Sequence, residues 1–131
     1  MAPKQPTALV IDLNAIQAYT PEQLNNINLW DGDAFFGRLL CLEPGQEVPL
    51  HSHEHKDECF DILQGEGVFW LDDRELIAGP GTHIYVPAGV VHGFRANQGV
   101  RWLMRETVSE RVYARRALKL VWAAVGKRVR R

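Results

Sequence analysis

Short apolar runs separated by turn-forming residues fill the middle of the chain, and their spacing restricts the possible folds more than any other feature. Pro44-Gly45 suits a type II turn, and Asp72-Asp73 suits a two-residue hairpin. We predict strands over 9–13, 35–42, 48–53, 58–64, 67–71, 74–78, 82–86, 92–96 and 100–107. About nine short strands at such close spacing indicate an all-β barrel or sandwich.

The two ends of the chain differ from this central part, 35–107. Residues 1–34 are predicted to form an arm of strand and turn, with a helix or turn over 21–26 that begins at Thr20 and Pro21. Residues 108–131 change to a helical period, with a possible cap at Ser109 and an end at Gly126. We therefore expect a C-terminal amphipathic helix followed by a basic tail.

The charges are distributed unevenly. Residues 1–109 contain 15 acidic and 7 basic side chains, whereas residues 110–131 contain 1 acidic and 8 basic ones. One side of the predicted helix is apolar and must pack on the barrel or on a second subunit, so its basic stripe is interpreted as a solvated face. The sequence therefore predicts no nucleic-acid partner and no membrane partner.

Length and composition indicate one compact globular domain. The chain has 131 residues, of which 46% are hydrophobic and 24% charged, a balance that argues against disorder and coiled coils. No apolar run approaches the roughly 18 residues that span a bilayer. No secretory signal is visible at the N-terminus, so we expect a cytoplasmic protein with Cys41 and Cys59 as reduced thiols.

One group of histidines and a glutamate has the spacing of a metal site. His51 and His53 are two residues apart on a predicted strand, where side chains at i and i+2 share a face. Glu58 opens the next strand and can return to that face, while His92 follows a tight Pro-Ala-Gly turn. Three imidazoles and one carboxylate form a nitrogen and oxygen set suited to a first-row divalent metal, with positions left open for a substrate.

The same residues belong to a recognisable pattern. Residues 45–65 read G-x5-H-x-H-x4-E-x6-G, and residues 81–92 read G-x5-P-x-G-x2-H. These segments resemble the first and second motifs of the cupin superfamily. One position departs from the pattern, because Ala96 stands where the family has an asparagine. The resemblance covers about residues 35–107.

The resemblance implies a small, jelly-roll-like cupin β-barrel with a metal held by His51, His53, Glu58 and His92. It implies one divalent transition metal (Mn, Fe, Co, Ni or Zn) and a small organic molecule as substrate, with isomerase, lyase or dioxygenase-type chemistry. The alternative is a cupin that binds a small molecule such as a sugar without catalysis. Small cupins usually dimerise, so we also expect a homodimer.

The roles of four other polar residues are considered separately. His55 could supplement a metal ligand, but its position predicts a loop residue, and His83 is interpreted as an ordinary strand histidine. An unliganded His55 or Tyr85 is the only general base that the sequence suggests. Arg38 interrupts an apolar strand, where an inward side chain would bind a carboxylate or phosphate, but we expect it to point outward.

Overall fold

The computed structural model describes residues 7–110. A single short helix, α1 (Leu13–Ile16), precedes nine strands in this part of the chain. The strands are β1 (Asn25–Asp31), β2 (Phe36–Leu42), β3 (Glu47–His51), β4 (Asp57–Gln64), β5 (Gly67–Leu71), β6 (Arg74–Ala78), β7 (His83–Val86), β8 (His92–Ala96) and β9 (Trp102–Ser109). The all-β prediction is confirmed.

The strands form two antiparallel sheets. One sheet has the order β1-β2-β9-β4-β7, and the other has the order β3-β8-β5-β6. Most spatial neighbours are far apart in the sequence: β2, for example, pairs with β9 from Phe36↔Val108 to Leu42↔Trp102. These long-range pairings bring the two motif segments together between the sheets.

The main core lies between the sheets and receives side chains from both. Phe60 on β4 meets Phe69 on β5 and Phe94 on β8, with ring centroids 5.2 Å and 5.6 Å away. Trp102 at the start of β9 is fully buried and packs edge-on against Phe94. Alternation of side chains along each strand explains this layer, because residues at i and i+2 share a face.

A second apolar layer covers the outer face of the larger sheet. Leu39, Cys41 and Leu103 are buried there, although Leu40 and Met104 beside them face the main core. Residues of the N-terminal segment pack on this layer, namely Ile11, Leu13 and Tyr19. Strand β2 is therefore buried on both faces, which removes the polar alternation that would otherwise show which face is inward.

Two predictions for the N-terminal region are wrong. Residues 9–13 form no strand, since most of this segment is irregular and α1 begins at Leu13. The helix or turn predicted over 21–26 contains only a bend, and β1 starts at Asn25. Asparagines dominate the start of this strand and disfavour a strand prediction, but Ile27 and Leu29 supply the apolar alternation that holds it on the sheet.

The predicted end of the barrel also needs a correction. The last predicted strand, 100–107, is observed as β9, which runs on to Ser109, and the Ser109 Oγ donates a hydrogen bond to the Ala34 carbonyl at 3.3 Å. The remainder of the predicted C-terminal helix and tail, 111–131, lies outside the described residues. Within 7–110, no helix has the length and apolar character needed to cross a bilayer.

Candidate metal centre

The structure brings His51, His53, Glu58 and His92 together at one end of the space between the sheets. His51 ends β3 and pairs in register with His92, which begins β8. Glu58 is the second residue of β4 in the opposite sheet, and His53 lies in the loop after β3. Each residue offers one ligand atom, and these four atoms all lie within 4.8 Å of one another.

A tight turn at 87–89, within the second motif segment, forms hydrogen bonds with the first motif segment at this end. Gly89 has φ +92°, a conformation that favours glycine, and its N–H donates to the His53 carbonyl at 2.7 Å. The adjacent Ala88 N–H donates to Asp57 Oδ1 at 2.9 Å. The Pro-Ala-Gly turn thereby fixes the loop that carries His53 against the start of His92's strand.

Backbone carbonyls select the tautomer of two imidazoles. His51 Nδ1 donates to the Pro49 carbonyl, and His92 Nδ1 donates to the Val90 carbonyl, each at 2.9 Å. A carbonyl oxygen can only accept, so the proton of each neutral ring is on Nδ1. Both Nε2 lone pairs are then free to bind a metal.

The central contact of the group joins two atoms that lack a hydrogen-bond partner. His92 Nε2 and Glu58 Oε1 are 2.8 Å apart, and the two side chains are 1% and 6% exposed. Neither atom makes a hydrogen bond of good geometry among the described residues. A lone pair and a carboxylate oxygen repel at this distance unless a proton or a cation lies with them.

A single metal ion fits this set. Atoms bonded to one ion at about 2.0–2.2 Å are at most about 4.4 Å apart, close to the 4.8 Å limit of the four ligand atoms. Movements of a few tenths of an ångström would close the set on one ion. The donor types, three imidazole nitrogens and one carboxylate oxygen, suit first-row divalent metals.

The protonation of the group follows from its burial and its contacts. Burial works to raise the pKa of Glu58, but the contacts with His92 and Glu106 outweigh it and lower this pKa to about 2. Burial works to lower the pKa of His92, but the contact with Glu58 outweighs it and raises this pKa. For His53, burial is the largest effect and lowers the pKa, which keeps this imidazole neutral at pH 7.

The four side chains open into a cavity of about 200 Å³ between the sheets. Apolar residues form much of its wall, including Leu40, Phe60, Phe94 and Val108. The cavity is smaller than the roughly 300–1,000 Å³ typical of sites for drug-sized ligands, so it suits a small molecule. Its charged lining residues beyond the four are Arg38, Lys56 and Glu106.

Glu106 is a site residue that the sequence reasoning missed. It lies on β9 between Met104 and Val108, which face the same interior. Burial, followed by the contact with Glu58, raises the pKa of Glu106 to about 9 when no ion is bound. The strand alternation that places Met104 in the core could have identified this inward carboxyl group.

Arg38 also faces the cavity, so the expected outward orientation is wrong. It lies on the same face of β2 as Leu40, whereas Leu39 belongs to the outer apolar layer. The sequence could not decide this orientation, because residues on both faces of the strand are apolar. Register places Arg38 directly beside Glu106 on β9.

The remaining candidates lie away from the cavity. His55 is an exposed loop residue, as predicted, with Nε2 3.9 Å from Glu54 Oε1. His83 is exposed on β7 and makes a 2.6 Å contact through Nδ1 with Asp61 Oδ1. Tyr85 is 55% exposed and does not line the cavity, so neither His55 nor Tyr85 is placed to act as a general base there. Cys59 is a free thiol outside the group of four.

Known proteins are similar in sequence to parts of this chain. The chain is 37% identical to quercetin 2,3-dioxygenase of Bacillus subtilis over 51 residues, which are 39% of this chain and 15% of that protein. It is 29% identical to the oxalate-binding protein of Thermotoga maritima over 104 residues, covering 68% of this chain and 84% of that protein. The chain thus spans only a small part of the dioxygenase but most of the oxalate-binding protein.

The fold has close counterparts among solved structures. A crystal structure of a protein from Thermus thermophilus superposes with a TM-score of 0.73 and 29% identity, covering 77% of this chain and 96% of that one. The family described as Cupin domain matches residues 38–105, which include both motif segments and more than half of the chain. The two-sheet fold and this match agree, and the chain belongs to the Cupin domain family.

Proposed function

We propose that this chain is a metal-dependent cupin that acts on a small organic molecule. One divalent transition metal (Mn, Fe, Co, Ni or Zn) would be held by His51, His53, Glu58 and His92. The observation that carries the proposal is the 2.8 Å approach of His92 Nε2 to Glu58 Oε1, two buried atoms without other hydrogen-bond partners among the described residues. In the metal-free protein a proton on His92 would satisfy this contact, and a bound cation would take the place of that proton.

The chemistry would take place in the small cavity beside these ligands. A divalent metal supplies Lewis-acid polarisation of a carbonyl group or of a developing oxyanion. Phe60 and Phe94 exclude water from one side of the cavity, since both are almost fully buried. Glu106 is the carboxyl group placed to exchange a proton with a bound molecule, because it lines the cavity and is not one of the four proposed ligands.

The proposed reaction classes are isomerisation, elimination and dioxygenation, and the alternative is binding without catalysis. Similarity to a dioxygenase over 51 residues supports catalysis. Similarity to a protein named for oxalate binding, over 84% of that protein, supports binding without catalysis. Both relatives support a small-molecule ligand.

A substrate screen separates these possibilities. Metal-loaded protein would be incubated with small carbonyl compounds, hydroxy acids, sugars and phenols, with oxygen uptake and product formation recorded. We expect turnover of at least one compound, lost on chelation and reduced about 100-fold or more in Glu106→Gln, with the metal content unchanged. Glu66→Gln, at an exposed glutamate, is the matched control. Tight binding without any chemical change would favour the non-catalytic alternative.

We further propose a cytoplasmic homodimer. Free thiols at Cys41 and Cys59 are in keeping with a reducing compartment. The edge strand β6 carries Ile77 with 62% exposure, and the edge strand β3 carries Leu50 with 59% exposure. Burying such edges and apolar side chains between two copies would stabilise both sheets.

Light scattering at micromolar concentration tests the dimer. Since one chain has a mass of 14.9 kDa, a dimer should give about twice that value. A mass of one chain across the micromolar range would refute it. Ile77→Lys should shift the mass toward one chain if β6 contributes to the interface.

A further inference from the structure

Arg38 is a cationic side chain in the wall of the metal cavity, where Phe36 and Leu40 lie on the same face of its strand. It lies on β2 with Phe36 and Leu40, and all three line the cavity that also contains the four proposed metal ligands. Its Nε is buried, and its guanidinium lies over the Phe36 ring, with Cζ 4.5 Å from the centroid. Packing on the ring fixes the plane of the guanidinium and leaves its edge available for a ligand.

The guanidinium forms no close ion pair within the described residues, although it acts on the charge of Glu106 from a longer distance. Among residues 7–110, Arg38 forms no ion pair within 4.0 Å, and its Nε has no hydrogen-bond acceptor. The adjacent Glu106 on β9 does not reach it within that distance, although the two residues are paired in register. An arginine is always charged, and a half-buried charge without a counter-ion is unfavourable.

The other charges of the cavity do not balance Arg38. Glu58 is engaged with His92 and His53, and it would also face the metal cation. Lys56 lies at the same cavity and pairs with Glu110 at 3.4 Å. With a divalent ion in place, the charges of the ion and Arg38 would exceed those of Glu58 and Glu106 by one even with both carboxyl groups ionised, and an anionic ligand would neutralise the remainder.

The size and the lining of the cavity favour a carboxylate over a phosphate. A carboxylate carries one negative charge, whereas a phosphate monoester carries close to two at neutral pH and loses more hydration on entering an apolar space. A guanidinium edge also matches the two oxygens of a carboxylate in a bidentate pair. The volume of about 200 Å³ restricts the ligand to a small acid.

We propose that Arg38 determines specificity by binding the carboxylate group of a small organic acid whose other polar end faces the metal. This inference rests on the proposed function, since it places the ligand in the same cavity. Arg38 does not belong to the group of four metal-binding candidates. Its removal should therefore weaken the binding of the acid without weakening the binding of the metal.

A titration series with matched acids and amides tests this inference. Calorimetry on Mn²⁺-loaded protein would compare oxalate, malonate and succinate with oxamide, malonamide and succinamide, with Mn²⁺ occupancy checked after each titration. The three acids span different separations between their carboxylates. We expect the best acid to bind at least 10-fold more tightly than its diamide, because a neutral amide has one acceptor oxygen and cannot form a bidentate ion pair.

Variants at Arg38 should reduce that preference. Arg38→Gln should weaken the best acid about 10- to 100-fold, in the range of a lost hydrogen-bonded charge pair. Arg38→Lys should retain part of the binding, because the charge remains but the fork is lost. Arg95→Gln is the matched control, since Arg95 is exposed on β8 and packs over Trp70 outside the cavity.

The outcomes separate this inference from the proposed function. Mn²⁺ affinity within about 3-fold of the wild type in Arg38→Gln, together with the lost acid binding, supports the inference. Equal acid binding in wild type and Arg38→Gln overturns it, as does the absence of any preference for acid over amide. If the wild type binds none of Mn²⁺, Fe²⁺, Co²⁺, Ni²⁺ and Zn²⁺, the metal proposal fails, and the same titrations on metal-free protein still test Arg38. Melting curves of each variant verify folding, and Arg38→Lys serves if Arg38→Gln does not fold.

Discussion

Replacing His92 with alanine is expected to reduce the affinity for a divalent transition metal more than 100-fold. Its side chain is 1% exposed, its Nε2 lies 2.8 Å from Glu58 Oε1, and its ring centroid is 4.3 Å from that of His51. Loss of an outer-shell partner alone typically lowers metal affinity 10- to 100-fold, so loss of a ligand should exceed that range. Calorimetric titration with Mn²⁺ or Zn²⁺ measures the effect.

The same variant should keep its β-sheet circular dichroism spectrum. The core between the sheets holds Phe60, Phe69, Phe94 and Trp102, whose rings pack on one another. His83→Ala is the matched control, because His83 is an exposed histidine away from the cavity, and it should bind metal like the wild type. Native metal affinity in His92→Ala would remove His92 from the site.

The second large effect is stabilisation by the metal itself. At a free metal concentration near 100 times Kd, binding to the native state adds about 2.7 kcal/mol. For a domain of this size, that free energy corresponds to a rise in Tm on the order of 10 °C. The metal-free protein should nonetheless fold, because its two apolar layers are built without the four proposed ligands.

The metal-dependent rise in Tm should shrink as the pH falls from about 7.5 to 5.5. The imidazoles must be neutral to bind, and the raised pKa of His92 makes its proton compete with the ion near neutral pH. A raised native pKa also stabilises the metal-free protein below the ordinary value of 6.5, and that contribution is lost as the pH rises through the native pKa. Both effects reduce the difference in Tm between the metal-bound and the metal-free protein at low pH.

Glu58 should contribute little to this pH dependence. Its pKa of about 2 keeps it ionised throughout the range, and the stability it supplies is lost only as the pH falls from about 4.5 toward 2. Thermal melts of chelator-stripped protein with Mn, Fe, Co, Ni and Zn at several pH values test the account. If the metal-free protein is unfolded at 25 °C, the claim that its apolar core is stable without the metal is wrong. An unchanged Tm with every metal at every pH would contradict the site.

The sequence predicted most of the barrel because its signals are local. The hairpin at Asp72-Asp73 joins β5 to β6 as predicted, with Asp72 at φ +47°, the backbone conformation that such a tight turn requires. Alternation along β4 also explains why Phe60 and Ile62, on the same face as Glu58, are core residues. Strand β1 was missed because Asn25, Asn26 and Asn28 obscure the alternation that surrounds them.

The grouping of His51, His53, Glu58 and His92 followed from motif spacing, but the rest of the cavity did not. Arg38 and Glu106 face inward from neighbouring strands that are distant in the sequence. On β2 both faces are apolar, so alternation could not decide the direction of Arg38. On β9 the alternating series from Trp102 to Val108 can be recognised in the sequence. Placing Glu106 inside the cavity also requires knowing which face of the strand packs on the core.

Metal analysis of protein purified without added metal tests the central claim most directly. Inductively coupled plasma mass spectrometry of the wild type and His92→Ala would be read as metal equivalents per chain. We expect close to one equivalent of a transition metal in the wild type and less than about a tenth in the variant, since one of the four proposed ligands is absent. A wild type with less than a tenth of an equivalent, which also takes up none from buffered Mn²⁺ or Zn²⁺, would contradict it.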